Sequence, residues 1–164
     1  MDPMIKKGDE ITFVVTDITH EGLGVVRHND YVGFIAHVLP SERVKVKIDR
    51  CKKDFFLATC LKIEERSIHR AEPFCKHFQQ CGGCQLQHLS YDQHSVIKKN
   101  EWLNLYNKTL GEKCPITPQT VFETPQSYRR KARISCRWVE KKQRVCVGFR
   151  EANSRYVLDG ECCP

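Results

Sequence analysis

Three cysteines, Cys75, Cys81 and Cys84, fall within ten residues, and Gly82-Gly83 separates the last two. Thiolates are soft ligands for zinc and iron-sulfur clusters. Glycines let a short chain turn with positive φ, so that several sulfurs and backbone N–H groups can face one centre. A fourth ligand is still needed. Cys162 and Cys163 are candidates by position, as are His69, His77 and His88 for a mixed zinc set. The other cysteines, Cys51, Cys60, Cys114, Cys136 and Cys146, stand mostly in or beside strand-like stretches and read as small buried hydrophobes.

A second chemistry is written in cations. Ser127-Tyr128-Arg129-Arg130-Lys131-Ala132-Arg133 precedes an apolar stretch. Arginine bonds phosphate oxygens bidentately and stacks on bases, and a neighbouring tyrosine can stack as well. Further upstream, Arg43, Lys45, Lys47, Arg50, Lys52 and Lys53 face only Asp49 over eleven residues. A basic edge can simply deter strand pairing. Two such patches on a chain of formal charge +7 point instead to a polyanion, RNA or DNA. The expected contacts are Lys45, Lys47, Arg129, Arg130, Lys131 and Arg133, with Tyr128 as the stacking residue.

These groups need elements to hold them. Residues 10–62 carry the period of two that half-buried strands require. Ile11, Phe13 and Val15 alternate with Thr12, Val14 and Thr16; Val25-Val26 and Tyr31 to Ile35 flank His28-Asn29-Asp30, a hairpin loop; Val44, Val46 and Ile48 alternate with Lys45, Lys47 and Asp49. The last pattern puts three apolar side chains on a core face and throws Lys45 and Lys47 onto the other. Gly22 and Gly24 fit a bend or bulge, and Leu39-Pro40-Ser41-Glu42 fits a turn. Four or five short strands in this length predict a small OB-like β-barrel.

Residues 67–89 have no usable period and read as a ligand-ordered loop. Ser90 and Gln93 have capping-box spacing, Val96, Ile97, Leu103 and Leu110 with Trp102 and Tyr106 give an approximate apolar stripe, and Gly111 is a stop, so a helix is expected between them. Pro115 and Pro118 mark a connector; Arg133 to Trp138, Val145 to Phe149 and Tyr156 to Leu158 predict an antiparallel meander. The expected fold class is mainly β with some α. The expected domains are a barrel over 1–62, a Cys-rich loop and helix over 63–118, and a basic antiparallel sheet over 119–164.

The chain has 164 residues, 10 of them cysteine. That length excludes a large multidomain enzyme. No apolar run approaches the roughly 18 residues of a membrane helix, and the charged start lacks a signal core, so a cytoplasmic protein with metal-binding rather than disulfide-bonded thiols is expected. Gly22-Leu23-Gly24 is no dinucleotide loop, because Arg27 stands where a third glycine would be and no long helix follows. A small electron carrier is disfavoured by the basic charge.

Gly22-Leu23-Gly24-Val25-Val26-Arg27, Phe34-Ile35 and Leu39-Pro40-Ser41-Glu42-Arg43-Val44 resemble a TRAM domain, an RNA-binding module, with Ser41 where glycine is usual. Cys75 to Cys84 with Gln85-Leu86-Gln87-His88-Leu89, Tyr91, Gln93 and Lys98 resemble the bacterial 23S rRNA (uracil-5-)-methyltransferase family, as do Tyr128-Arg129-Arg130-Lys131-Ala132, Val147-Gly148-Phe149 and Cys163-Pro164. The resemblance runs over essentially the whole chain. It implies a [4Fe-4S] cluster held by Cys75, Cys81, Cys84 and Cys163, with Cys162 as the adjacent competitor, and ribosomal RNA as partner. In that family methyl transfer uses S-adenosylmethionine and a cysteine nucleophile on a Rossmann-like domain. The resemblance implies that this domain lies outside the present residues, so the chain is expected to bind RNA and carry the cluster without itself catalysing methylation. The alternative expectation is a stand-alone zinc-stabilised nucleic-acid-binding module.

Overall fold

Alternation of apolar and polar residues builds six strands in the first 65 residues of the computed structural model: β1 (Glu10–Val14), β2 (Asp17–Ile18), β3 (Leu23–His28), β4 (Tyr31–Ala36), β5 (Arg43–Cys51) and β6 (Phe55–Glu65). The structure describes residues 5–111, 115–119, 121, 126 and 128–159. The chain forms two compact units, Met1–Ala71 with His88–Pro118, and Glu72–Gln87 with Gln119–Pro164.

In the first unit the strands form one sheet of order β1-β5-β6-β4-β3-β2, antiparallel except where β4 runs parallel to β6. The two edge strands, β1 and β2, are separated in the chain by Val15 and Thr16 alone, so the sheet curls until one stretch of backbone serves both edges. The hairpin expected around Asn29 is present, with His28 opposite Tyr31. Val44, Val46 and Ile48 are fully buried beside Val26, Ile35 and Phe56, as the period of two requires. Each such side chain contributes roughly 1.5 to 3 kcal/mol by leaving water.

Gly22 is the turn residue expected of it, with φ +78°, but Gly24 is no bulge. It lies within β3 with its α-carbon facing the core, where an added Cβ would come within 2.3 Å of Val38 Cγ2. A side chain there would push the core apart.

The turn after β4 is fastened from inside. Glu42 is fully buried, and its carboxylate accepts the backbone N–H groups of Leu39 at 2.8 Å and Ser67 at 3.2 Å. Arg70 completes the set with Nε on Oε1 at 2.5 Å and Nη2 on Oε2 at 2.7 Å, and it also donates to the His37 carbonyl at 2.9 Å. Burial alone would raise the Glu42 pKa, but the Arg70 guanidinium and the two N–H groups hold it below the ordinary carboxylate range.

The helix α1 spans Tyr91–Leu110 and ends at Gly111, which is left-handed with φ +70°. The expected capping box does not form: Ser90 makes no side-chain cap, and the Gln93 amide donates to Asp92 instead. Among the described residues the helix buries none of its side chains. The predicted stripe is too irregular to seat one face, and Val96, Trp102 and Leu110 stay 44–56% exposed.

The second unit holds the hairpin of β7 (Ser135–Val139) and β8 (Arg144–Gly148). The third strand of the expected meander is reduced to one bridge, Arg150 with Val157, and a bond from Leu158 N–H to the Phe149 carbonyl.

Candidate nucleic-acid interface and cysteine loop

The outer face of β5 is where the sequence places Lys45 and Lys47, and the structure puts them there, opposite the buried Val44, Val46 and Ile48. Their electrostatics differ from the expectation. Lys45 Nζ lies 2.7 Å from Glu10 Oε2, an approach that lowers the Glu10 pKa and raises that of Lys45. Arg43 pairs with Glu64 at 3.1 Å, and Asp49 accepts the Thr59 hydroxyl at 2.7 Å. Lys47 forms no ion pair with a described residue. The basic run therefore has Arg43 and Lys45 offset by carboxylates in its N-terminal half, where Lys47 is not. Its C-terminal half, Arg50, Lys52 and Lys53, is exposed and without carboxylate partners among the described residues.

In the second unit, Tyr128, Arg129, Arg130, Lys131 and Arg133 are all exposed on extended chain leading into β7; Ser127 lies outside the described residues. Tyr128 is 55% exposed, so it is not a core tyrosine, and the Arg129 guanidinium sits 5.8 Å from its ring centroid. That geometry leaves a cation and a ring together at the surface, available to a phosphate and a base. Arg133 opens onto a shallow depression shared with Gly82, Phe149 and Arg150. The structure thus gathers the end of the basic stretch and the glycines of the cysteine loop. Arg150, missed in the sequence reading, joins them because it lies two residues past the end of β8; an arginine at the end of an apolar strand pattern was its signal.

The cysteine loop is held by backbone more than by side chains. Phe78 N–H donates to the Cys75 carbonyl at 3.0 Å, and Cys81 N–H to that of His77 at 2.9 Å. Gly82 N–H donates to the Arg150 carbonyl at 2.9 Å and Ala152 N–H to the Gln80 carbonyl at 2.7 Å, so the loop is laced to the segment after β8. Phe78 is its buried anchor, 8% exposed.

Three features suit a soft metal centre. Gly83 N–H points at Cys81 Sγ, 3.4 Å away, as N–H groups do around cluster sulfurs. A Cβ on Gly83 would sit 3.3 Å from that sulfur, a tight approach, so glycine leaves the thiol more room. His77 Nε2 is buried with no hydrogen-bond partner among the described residues. The donor chemistry fits, but the described residues hold no group of three Cys, His, Asp or Glu side chains arranged for a metal. Cys162 and Cys163 lie outside the described residues, as does Cys114.

Of the cysteines expected to be core hydrophobes, Cys146 is fully buried, Cys51 and Cys60 are half-buried, and Cys136 is exposed. Cys136 shares a hairpin face with Trp138, Val145 and Val147, which the described residues leave 43–49% exposed, whereas Cys146 lies buried on the opposite face.

Among known proteins, residues 6–61 match the TRAM domain family. The chain is 41% identical over 152 residues, 92% of its length, to the 23S rRNA (uracil(1939)-C(5))-methyltransferase RlmD of Legionella pneumophila. It is 35% identical over 94% of its length to the protein of the same name from Shewanella woodyi. A protein of Oceanobacillus iheyensis named as an uncharacterized RNA methyltransferase is 36% identical over 97% of the chain. The chain spans about a third of the length of these relatives. No helix among the described residues is long and apolar enough to cross a membrane.

Proposed function

We propose that this chain, whose residues 6–61 are a TRAM domain and whose relatives over nearly its full length are named as RlmD methyltransferases, is the RNA-recognising portion of a 23S rRNA (uracil-5-)-methyltransferase. The observation that carries the reading is that the similarity extends across both units, well past the TRAM domain. Ribosomal RNA is the partner. Lys47, Tyr128, Arg129, Arg130, Lys131 and Arg133 are its contacts, all exposed and the cations among them without carboxylate partners among the described residues, while Lys45 contributes less because Glu10 already neutralises it. In this reading methyl transfer from S-adenosylmethionine belongs to a Rossmann-like domain outside these residues, and the cytoplasm is the setting.

Cys75, Cys81 and Cys84, with Cys163 and then Cys162 as the fourth, are the ligands for a [4Fe-4S] cluster. The bound cluster would supply a structural tie for a loop that has little core of its own. The orphaned His77 Nε2 favours a second reading, in which zinc takes three of these thiols and the imidazole in a stand-alone nucleic-acid module. Iron, acid-labile sulfide and zinc measured on protein purified without oxygen separate the two. About four iron and four sulfide per chain is the expected result. One zinc and no iron would overturn the cluster and leave the zinc module.

A further inference from the structure

The outer face of β4 and β6 carries a patch that the sequence patterns did not single out. Val32 lies beside Phe55 and Phe34 beside Leu57 in the parallel register, so these four side chains share the face opposite the buried Gly33, Ile35, Phe56 and Ala58. Phe55 and Leu57 are 38% and 37% exposed. The rings of Phe34 and Phe55 meet edge to face at 6.1 Å.

Cations stand on both sides of this strip. Arg27 on β3 is opposite Val32, and Arg50 on β5 is opposite Leu57. The parallel pairing of β4 with β6 brings the β3–β4 and β5–β6 hairpin tips to the same end of the sheet, where Val32 N–H donates to the Asp54 carbonyl. Lys52 and Lys53 are exposed in that second tip. None of these four cations forms an ion pair with a described residue, and the tips set only Asp30 and Asp54 against them.

We infer that the Phe34–Phe55 face between Arg27 and Arg50 is a stacking platform for a single-stranded segment of RNA. The inference rests on the RNA-binding reading and assigns it a surface. Phe55 is the exposed ring and Phe34 the half-buried one that backs it; such a surface attracts unpaired bases, whose faces are free, and offers nothing to a duplex, whose base faces are already stacked. The cations that border this patch on two sides match the phosphates that flank a stacked base. A second copy of the chain would set the same cations against each other.

The test uses the whole chain and a labelled oligouridine of about 12 nucleotides, followed by anisotropy, with an RNA duplex of similar length as control. Phe55→Leu keeps apolar bulk without the ring and should weaken single-strand binding about tenfold at unchanged melting temperature, leaving duplex binding as it was. Phe55→Trp should restore it. Arg27→Gln with Arg50→Gln should flatten the salt dependence of single-strand binding. Undiminished single-strand binding by Phe55→Leu would overturn the platform, as would a loss of self-association with RNA binding unchanged, which would make the patch a protein contact. If the unaltered chain binds neither RNA, the RNA reading itself falls. If Arg129→Gln with Arg130→Gln abolishes binding while Phe55→Leu does not, the reading stands and the platform is rejected.

Discussion

Ser41 occupies φ +69°, in the left-handed region that glycine adopts without cost. This gives a physical reason for the glycine usual at that position in TRAM domains. Its hydroxyl returns only a long 3.4 Å approach to Ser67 Oγ. Ser41→Gly should therefore stabilise the first unit, by up to about 1 kcal/mol, visible as a raised urea midpoint. Two further residues make that unit acid-sensitive. Burial, with Arg70 and His37 adding to it, lowers the His88 pKa from 6.5 to about 4. A base with a depressed folded pKa contributes stability that is full above its unfolded value and is lost as pH falls. Stability should accordingly decline from about pH 6.5 toward pH 4, by up to about 3 kcal/mol from this group, a loss read as a falling thermal midpoint. Below the ordinary range near 4.5, protonation of Glu42 adds to the loss. His88→Gln should flatten the upper limb of that profile, and an unchanged slope would show that another group titrates there.

At the scale of elements, β5 was legible because Val44, Val46 and Ile48 repeat strictly at period two, and the hairpin at Asn29 because two apolar runs flank a short polar one. The neutralisation of Lys45 was not, since Glu10 meets it only through the β1–β5 pairing of distant segments. The Arg70–Glu42 anchor was hidden for the same reason, 28 residues separating its partners. The capping box failed because Gln93 has a nearer acceptor in Asp92, a competition that spacing alone does not register. The phenyl platform escaped notice because aromatic residues in strands ordinarily mark core, and only the register reveals which of Phe55 and Phe56 faces out. The cysteine run was visible as three closely spaced thiols, while the backbone lacing to residues 150–152 was not. The proposed cluster carries its own prediction: Cys81→Ala should lose bound metal and speed amide exchange over residues 72–87, with the curled sheet intact. Unfolding of the sheet as well would mean that the two units are one cooperative structure.

For the molecule as a whole, a charge of +7 is unremarkable until its placement is considered. Carboxylates offset the cations at one end of β5, whereas those at the hairpin tips and along residues 128–133 have no described acidic partner. Association with RNA should then be driven by phosphate neutralisation and the release of counterions. The most direct measurement is the affinity of the chain for a single-stranded fragment of 23S rRNA between about 50 and 200 mM salt. With about five phosphates neutralised, the affinity should fall roughly 100-fold over that range. An affinity that does not change with salt, or no binding at the lowest salt, would contradict the assignment of this chain to RNA recognition.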